Sequence, residues 1–271
     1  MITKSTQLVT MLASRATNVG AKMHTAAYEA LGLDFAYIPI ETDDIERAVA
    51  GIRGLHIRGS SISVPHKQTV MPLLDRLDPT AEVIGAVNTV VNDDGILTGY
   101  NSDWIGANEA LKEVTELAGK KAIVIGAGGA ARAIVFGLVR EGAEVSIYDR
   151  TEQRAVDLAK DLGAASGQPL SRLPHTIDYD ILINATSVGY GTQETIADPS
   201  LFRKDVVVMD VVFMPTETTF LRDAKAAGAT TVGGSRMLLH QAAYQVKAFT
   251  ENDAPIAAMS EALTKALQEE V

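Results

Sequence analysis

The sequence predicts an α/β fold in two domains. Strand-like and helix-like patterns alternate along the chain, and residues 120–151 have the pattern of a strand, a glycine turn, a helix and a second strand. Alternation of this kind favours parallel sheets covered by helices. Because the glycine turn comes only after residue 105, we expect a mixed α/β domain of residues 1–104 plus 238–271 and a doubly wound domain of residues 105–237, separated by a cleft.

The first domain is expected to contain a mixed sheet. The tetrapeptide at 92–95 (NDDG) lies between two β-branched runs and predicts a hairpin, which introduces antiparallel strands. Pro65 stops the third strand and suits the first position of a following helix. The expected strands are 7–12, 35–40, 57–64, 87–91 and 96–100, and the expected helices are 21–31 and 43–52.

The N-terminal apolar run predicts the first buried strand rather than a targeting signal. It spans only residues 8–13 and is interrupted by Thr10. A secretory signal needs roughly 7–15 apolar residues. No run in the chain approaches the roughly 20 apolar residues of a membrane span. We therefore expect a cytoplasmic protein.

In the second domain, a helix at 103–117 leads towards the glycine turn, and a helix at 235–249 follows the last strand. These two long helices are expected to connect the domains. Further strands are expected at 181–184, 206–211 and 230–232, and a final helix is expected at 255–268.

The glycine turn is the most informative local feature. A β-branched run is followed by GAGGAA at residues 126–131 and then by an apolar helical pattern. In such a unit Gly126 allows the tight turn, Gly128 lets the backbone approach a pyrophosphate, and Ala131 allows close helix packing. Asp149 comes 23 residues after Gly126, where a carboxylate can accept hydrogen bonds from a ribose. The segment predicts dinucleotide binding; the alternative is a glycine-rich turn that binds nothing.

Composition excludes several classes of protein. The net charge of −10 argues against binding to nucleic acid or to an anionic membrane surface. Without cysteines, the chain has no disulfides, thiolate metal sites or cysteine nucleophiles. An anionic cofactor must be held by local donors, for which the loop amides, Arg132, Arg150 and Arg154 are candidates. The histidines show no metal-ligand spacing, so no metal is expected; they are His24, His56, His66, His175 and His240.

Two ionisable residues follow predicted strands of the first domain. Lys67 lies in the segment SISVPHK, and Asp103 lies in GYNSDW. Hydride addition to a ketone creates an alkoxide, which an ammonium group stabilises and protonates, while a carboxylate orients the lysine or the substrate. The alternative is that both are solvated loop residues.

Three amide side chains lie in apolar surroundings, and they either bind a hydroxylated ligand or hold the backbone. They are Asn88, Asn101 and Gln241. His66 and His240 are expected to be packing or surface residues.

The order of the motifs SVPHK, GAVNTVV, GYNSDWIG, GAGGAARA, INATSVG and GGSRMLLHQAA resembles that of the shikimate dehydrogenase family over essentially the whole chain. The resemblance implies hydride transfer between a nicotinamide cofactor and the shikimate/3-dehydroshikimate pair. It makes Lys67 and Asp103 the catalytic residues, and it places Ser63, Asn88 and Gln241 at substrate hydroxyls. The implied cofactor contacts are Gly126, Ala127, Gly128, Gly129, Ala130, Asp149, Arg150, Thr151, Arg154, Thr186, Val211 and Gly234.

The sequence departs from the family pattern where the family holds the substrate carboxylate. The early S-x-S-P-x-x-H segment reads NVGAKMH here, so Asn18 and Gly20 replace both serines. Ser61 and Ser63 stand in the N-V-T-x-P-x-K segment, and Phe213 replaces a tyrosine. Losing two or three neutral hydrogen bonds weakens binding by roughly tenfold to a thousandfold. These departures are typical of the shikimate dehydrogenase-like subgroup, and Asn18 is expected to retain one hydrogen bond to the substrate.

The cofactor and substrate remain open at this point. Family members that prefer NADP have Asn-Arg-Thr where this chain has Asp149-Arg150-Thr151. An aspartate repels a 2′-phosphate, so NAD is favoured over NADP. One alternative is a cofactor-binding regulatory paralogue with little catalysis. Another is a dehydrogenase of an amino-substituted or uncharged cyclitol. We expect a small-molecule substrate and a monomer or homodimer.

Overall fold

The computed structural model describes residues 2–173 and 178–269, and the chain divides into two compact units. The first unit comprises Met1–Ser102 and Gln241–Val271, and the second comprises Asp103–His240. His175 lies outside the described residues. Of the helices that are described, none is both long enough and apolar enough to cross a lipid bilayer.

The first unit contains a six-stranded mixed sheet in the order β2-β1-β3-β5-β6-β4. The strand β1 pairs in parallel with β2 and β3, whereas β5 runs antiparallel to β3 and β6. Its strands are β1 (Gln7–Ala13), β2 (Phe35–Glu41), β3 (Gly59–Ile62), β4 (Arg76–Leu77), β5 (Thr89–Asp93) and β6 (Ile96–Tyr100). Its helices are α1 (Asn18–Ala30), α2 (Ile45–Gly54), α3 (Pro79–Ile84) and, from the end of the chain, α9 (Ile256–Glu269), which packs against α1.

The second unit contains a six-stranded, fully parallel sheet in the order β12-β11-β10-β7-β8-β9. Counted within the unit, this is the order 3-2-1-4-5-6 of a doubly wound dinucleotide-binding fold. Its strands are β7 (Lys121–Ile125), β8 (Glu144–Asp149), β9 (Ser166–Pro169), β10 (Ile181–Asn184), β11 (Val207–Asp210) and β12 (Thr230–Val232). Its helices are α4 (Asp103–Lys112), α5 (Gly129–Arg140), α6 (Glu152–Leu162) and α7 (Thr219–Ala226), and α8 (Gly234–Thr250) begins in it.

Both faces of this parallel sheet are buried at its centre, so the central strands β7, β10 and β11 are largely apolar. Val124 and Ile183 pack into one apolar cluster with α5, whereas Ile123 and Leu182 pack into another with α7. A strand buried on both faces has no polar side, which explains the continuous apolar runs in the sequence. The change of winding direction falls between β7 and β10, directly beside the glycine turn.

The hairpin prediction is confirmed and two helix predictions are wrong. Asp94 and Gly95 have φ of 51° and 90°, and they connect β5 to β6 through the two-residue turn that suits a hairpin. Pro65 does not begin a helix, because residues 64–70 form successive turns. The helix α4 ends at Lys112 rather than near 117, because the amides of β-branched Val114 and Thr115 both hydrogen-bond to one carbonyl oxygen, that of Leu111.

Candidate active site

The turn between β7 and α5 requires glycine at position 126. Its φ is +118°, a region that residues with side chains rarely adopt. A Cβ at this position would lie 3.0 Å from the carbonyl oxygen of Ala185 and 3.1 Å from Cγ2 of Thr186. In contrast, no atom lies within 4 Å of a Cβ built at Gly128 or Gly129. The loop is therefore tightly packed beneath and has bare, open backbone on its other side.

The N-terminus of α5, which follows this loop, suits an anion. No side chain caps the helix at Gly128, and its first turn contains no acidic residue. The first amides of a helix have no partner within it, and the helix dipole places partial positive charge at this end. A pyrophosphate group satisfies both the amides and the dipole.

A cavity of about 710 Å³ surrounds the loop. Pockets for small molecules have volumes of roughly 300–1,000 Å³. The walls of this cavity come from residues 126–128, from residues 148–150 with Arg154, and from residues 185–188. It lies where the sheet changes winding direction, the position at which ligands bind in doubly wound sheets. Bare amides, the open glycine backbone and an acidic side chain together fit a dinucleotide.

The carboxylate of Asp149 is held against the glycine loop. One of its oxygens accepts a hydrogen bond from the amide of Ala127 (3.0 Å), and the other accepts from the amide of Thr151 (2.9 Å). The guanidinium of Arg154 donates to the carbonyl oxygen of Ala127 (3.1 Å). Arg150 is exposed and lines the same cavity. An acidic and two basic side chains therefore line the same cavity.

The other predicted cofactor contacts occupy two places in the second unit. Thr186 lines the cavity directly, and Ala130 is half-buried in the first turn of α5. Val211 and Gly234 adjoin each other and are not among the residues that line the cavity. A Cβ at Gly234 would come within 2.4 Å of the carbonyl oxygen of Val211, so packing alone requires glycine at position 234.

Arg132, which the sequence offered as an anion ligand, is engaged elsewhere. Its guanidinium pairs with Asp161 at 3.2 Å, and it does not line the cavity.

A separate ion-pair cluster lies in the second unit, where Glu113 accepts hydrogen bonds from Arg236 and His240. Hydrogen bonding by Arg236 and then by His240 lowers the pKa of Glu113.

In the first unit, Lys67 and Ser63 lie on the segment that follows β3. The carbonyl oxygen of Ser63 accepts from the amide of His66 (2.8 Å), and the carbonyl oxygen of Lys67 accepts from the amide of Val87 (2.8 Å). Both side chains are half-buried. The ring of His66 is buried and hydrogen-bonded to the carbonyl oxygen of Thr42 (2.8 Å), which agrees with a packing role.

Three buried polar residues fix the chain just before Asp103. The side-chain oxygen of Asn88 accepts from the amide of Ser102 (2.8 Å), and its nitrogen donates to the hydroxyl of Ser102 (3.0 Å). The side chain of Asn101 donates to the carbonyl oxygen of Ala86 (2.9 Å). Asp103 itself is 1% exposed and begins α4. The amides of Asn88 and Asn101 therefore hold the backbone that delivers Asp103.

The amide most deeply buried on α8 is Gln245, which the sequence reasoning missed. It is 3% exposed, it accepts from the hydroxyl of Ser61 (3.0 Å), and it donates to the carbonyl oxygen of Asn88 (3.2 Å) and the hydroxyl of Thr89 (3.1 Å). Gln241, one turn earlier, is half-buried, and its side-chain amide has no hydrogen bond within the described chain. A spacing of four residues places both glutamines on the same face of α8, so the interest in Gln241 could have been extended to Gln245, but the spacing does not show which of the two is bonded.

The start of α1, like that of α5, has no capping side chain and no acidic residue in its first turn, but a carboxylate is bonded to the chain just before it. Asn18 is exposed at the first position of the helix, and a Cβ at Gly20 would only touch the hydroxyl of Tyr37 at 3.5 Å. Directly before the helix, the amide of Ala16 donates to the carboxylate of Glu41 (3.2 Å). A negative charge therefore already occupies the neighbourhood of Asn18.

The described residues contain no group of three or more His, Cys, Asp or Glu side chains that could hold a metal ion. His24 is buried and stacks on Tyr37 with ring centroids 4.2 Å apart. His56 is exposed.

The two-unit α/β architecture and the open glycine loop in the doubly wound unit are together typical of dinucleotide-dependent enzymes.

Comparison with known proteins identifies the family. Residues 8–90 match the shikimate dehydrogenase substrate binding domain, residues 108–216 match shikimate / quinate 5-dehydrogenase, and residues 234–264 match the shikimate 5'-dehydrogenase C-terminal domain. The shikimate dehydrogenase (NADP(+)) of Methanosarcina acetivorans is 43% identical over 260 residues, which cover 91% of this chain and 93% of that protein. The chain belongs to the shikimate dehydrogenase family, and it is an oxidoreductase.

Solved structures agree with this assignment. The ligand-free 5-ketofructose reductase of Gluconobacter sp. strain CHM43 is similar with a TM-score of 0.90 and 35% identity, covering 97% of this chain and 99% of that one. A quinate dehydrogenase from Corynebacterium glutamicum in complex with NAD is similar with a TM-score of 0.88 and 31% identity, covering 96% and 99%. The predicted family and the two-unit α/β fold class are thereby confirmed.

Proposed function

We propose that this protein interconverts shikimate, or a related cyclic polyol acid such as quinate, and its 3-dehydro ketone with NAD or NADP. The observation that carries the proposal is the cavity of about 710 Å³ around the bare glycine loop. Family membership supports the substrate class, since relatives are named for shikimate and quinate. We assign cofactor binding to residues 105–237 and substrate binding to residues 1–104 and 238–271.

In this proposal Lys67 and Asp103 carry the proton chemistry. When bound, the nicotinamide cofactor would supply the hydride that the ketone carbon accepts, or would take it up in the reverse direction. The ammonium of Lys67 stabilises the developing alkoxide and gives it a proton at the same oxygen. Asp103 accepts hydrogen bonds that orient the lysine or the reacting hydroxyl. Its burial at the first position of α4 supports this positioning role.

Ser63, Asn88, Gln241 and Asn18 are the proposed substrate-binding residues. Gln241 is the strongest of these, because its half-buried amide has no hydrogen-bond partner within the described chain. A buried or half-buried amide gains most from a ligand hydroxyl. Asn88 is proposed to act mainly through Ser102, since its side-chain oxygen and nitrogen both bond to that residue.

We propose that NAD is the preferred cofactor, with modest discrimination against NADP. Asp149 lines the cavity, and beside a cofactor ribose its charge would disfavour a 2′-phosphate. Arg150 and Arg154 line the same cavity and favour that phosphate. The relative from Methanosarcina acetivorans is named for NADP(+), and the quinate dehydrogenase was solved in complex with NAD, so the names of the relatives do not favour either cofactor.

A second candidate substrate is an uncharged cyclic or linear polyol ketone. The start of α1 favours it, because the amide of Ala16 is bonded to the carboxylate of Glu41 and Gly20 offers no hydroxyl. A substrate carboxylate placed near Asn18 would meet the charge of Glu41. The similarity to a reductase named for 5-ketofructose, an uncharged sugar ketone, points in the same direction.

A single assay separates these candidates. Purified protein is offered shikimate, quinate and uncharged cyclic and linear polyols, each with NAD and with NADP, and the absorbance of reduced nicotinamide is followed. Turnover of shikimate or quinate supports the first proposal, and turnover of uncharged polyols alone supports the second. Cofactor binding without turnover of any substrate would indicate a regulatory paralogue and contradict both.

Replacement of Lys67 tests its assigned role. Lys67→Ala is expected to reduce kcat by roughly a hundredfold to ten-thousandfold, the usual contribution of a general acid or base. The dissociation constant of the reduced cofactor, measured by its fluorescence, is expected to stay near that of the wild type. Lys247→Ala is the control, since Lys247 is an exposed lysine of the same unit, paired with Asp253. A loss of cofactor affinity equal to the loss of kcat would show that Lys67 is misassigned.

A further inference from the structure

A buried carboxylate ends β11 next to the cofactor cavity, and the chemistry above does not use it. Asp210 is 0% exposed and is bonded to the side-chain nitrogen of Asn184 (3.0 Å), the amide of Val212 (3.0 Å) and the hydroxyl of Thr218 (2.7 Å). All three donors are neutral. Burial raises the pKa of Asp210 to about 6, against the opposing effect of these hydrogen bonds. A buried carboxylate that is bonded to three neighbours fixes their arrangement.

The first of those neighbours is Asn184, whose amide shapes the next four residues. Its side-chain oxygen accepts from the amide (3.0 Å) and the hydroxyl (2.7 Å) of Thr186, and its nitrogen donates to the carbonyl oxygen of Val188 (3.1 Å). An amide side chain can bind in two flipped orientations. Because an ionised carboxylate only accepts hydrogen bonds, Asp210 forces the nitrogen of Asn184 towards itself. The oxygen of Asn184 must then face Thr186.

The segment that Asn184 shapes forms one wall of the cavity. Residues 185–188 all line it. They also contact the glycine turn, since the Cβ position of Gly126 lies 3.0 Å from the carbonyl oxygen of Ala185 and 3.1 Å from Thr186. A displacement of this segment therefore changes both the wall and the support of the loop that would bind the pyrophosphate.

The same carboxylate holds the segment after β11. Val212 donates to it directly, and Thr218, which also donates to it, caps α7 by accepting from the amide of Leu221 (3.3 Å). A backbone hydrogen bond from Gly191 to Met214 (3.1 Å) joins the two segments further out. Asp210 is thus the common anchor of the two loops that leave β10 and β11.

We propose that Asp210 is a positioning residue for the nicotinamide cofactor, acting through Asn184 on the cavity wall formed by residues 185–188. This inference rests on the proposed function, because it takes the cavity to be the cofactor site. The group that matters is an acceptor at the position of Oδ1 together with a partner for Thr218. An amide at position 210 supplies both, because its oxygen can accept from Asn184 and Val212 while its nitrogen donates to Thr218.

The test measures the dissociation constants of NADH and NADPH by fluorescence titration of the full-length protein. Asp210→Ala and Asn184→Ala are expected to raise both constants by about tenfold to a hundredfold, the usual effect of leaving buried polar groups unpaired. Asp210→Asn is expected to restore binding to within about threefold of the wild type, because it retains the hydrogen bonds. At saturating cofactor, kcat and the substrate KM are expected to stay near wild type.

Asn108→Ala is the matched control for general loss of stability in the same unit. Asn108 is 1% exposed and donates to the carbonyl oxygen of Gly137 (3.1 Å), and it does not line the cavity. Its replacement is expected to lower the melting temperature without changing either dissociation constant. If Asp210→Ala does not fold, Asn184→Ala carries the test.

Two results would overturn the inference. One is a folded Asn184→Ala variant that binds both cofactors like the wild type. The other is an Asp210→Asn variant that binds as weakly as Asp210→Ala. A wild-type protein that binds neither reduced cofactor contradicts the proposed function itself, so the two failures are distinguishable.

Discussion

At the residue scale, Asp149 has one observed role and one proposed role for the same carboxylate. It accepts hydrogen bonds from Ala127 and Thr151, and in our proposal it also faces the cofactor ribose, where NAD and NADP differ. Asp149→Asn keeps an oxygen acceptor but removes the charge that repels a 2′-phosphate. We expect the ratio of kcat/KM for NADP to kcat/KM for NAD to rise about tenfold, which corresponds to ~1.4 kcal/mol.

The control for this prediction is Asp157→Asn, which makes the same change of charge on α6. Asp157 is bonded to Gln153 and does not line the cavity, so its replacement should leave the ratio unchanged. A wild-type protein that already prefers NADP strongly would contradict the assigned role of Asp149.

The same scale shows where sequence reasoning reaches its limit. It singled out the amides of Asn88, Asn101 and Gln241, and it left open whether they bind a ligand or the backbone. In the structure Asn88 and Asn101 hold backbone, and Gln241 has no bonded partner within the described chain. Gln245 was missed because the residues that its side-chain amide binds are far from it in the sequence. Ser61 and Asn88 are 184 and 157 residues away from it in the sequence.

At the scale of elements, the β7–α5 turn depends on one backbone conformation. Gly126→Ala forces a side chain into a φ of +118° and against Ala185. We expect the free energy of unfolding to fall by about 1–3 kcal/mol, and we expect weaker binding of both cofactors. Urea unfolding and fluorescence titration measure the two effects.

Gly129→Ala provides the contrast within the same loop. Its Cβ meets no atom within 4 Å, and Gly129 is the first residue of α5, where alanine is the better helix former. This variant should be at least as stable as the wild type. Equal destabilisation by both substitutions would mean that the backbone conformation at Gly126 is not the cause.

Elements with a strong local signal were predicted, and elements defined by distant partners were not. The glycine turn, the NDDG hairpin and the apolar strands of the second unit follow from short stretches of sequence. The two-residue strand β4 and the four-residue strand β9 exist through pairing with β6 and β8, which no local pattern reveals. The helix α6 is also absent from the expected helices. Its sequence is polar and its apolar stripe is narrow, because its buried positions are only Ala155, Leu158, Ala159 and Leu162.

At the scale of the whole molecule, the chain order explains why the C-terminus completes the first unit. The chain leaves the first unit after Ser102, forms the doubly wound sheet, and returns at Gln241. The helix α9 then packs against α1, more than 200 residues earlier in the sequence. The helical patterns predicted both C-terminal helices. Their packing partner could not be read from periodicity, because a helix shows which face is apolar but not what covers it.

Stability of the whole molecule should depend on pH through His24. This ring is 1% exposed, and its Nδ1 lies 3.3 Å from the hydroxyl of Tyr28. Burial lowers the pKa of His24 from 6.5 to about 3. Between these values the unfolded chain binds a proton that the folded chain excludes. The stability from a neutral His24 is therefore fully present above pH 6.5 and is lost as the pH falls towards 3.

The variant His24→Gln tests this linkage. Losing the packed ring should lower the free energy of unfolding by about 1–3 kcal/mol at pH 7.5. The further loss between pH 7.5 and pH 5 should be about 2 kcal/mol smaller than in the wild type, since 1.5 pKa units separate 6.5 from 5. Asp210, whose pKa is raised to about 6, has the opposite dependence, and it is present in both proteins, so it cancels in the comparison. Urea unfolding at the two pH values measures the difference.

His56→Asn is the control, because His56 is an exposed histidine with φ of 51°. This variant should lose as much stability between pH 7.5 and pH 5 as the wild type does. If His24→Gln also loses as much stability as the wild type between these pH values, burial of His24 is not the source of acid sensitivity.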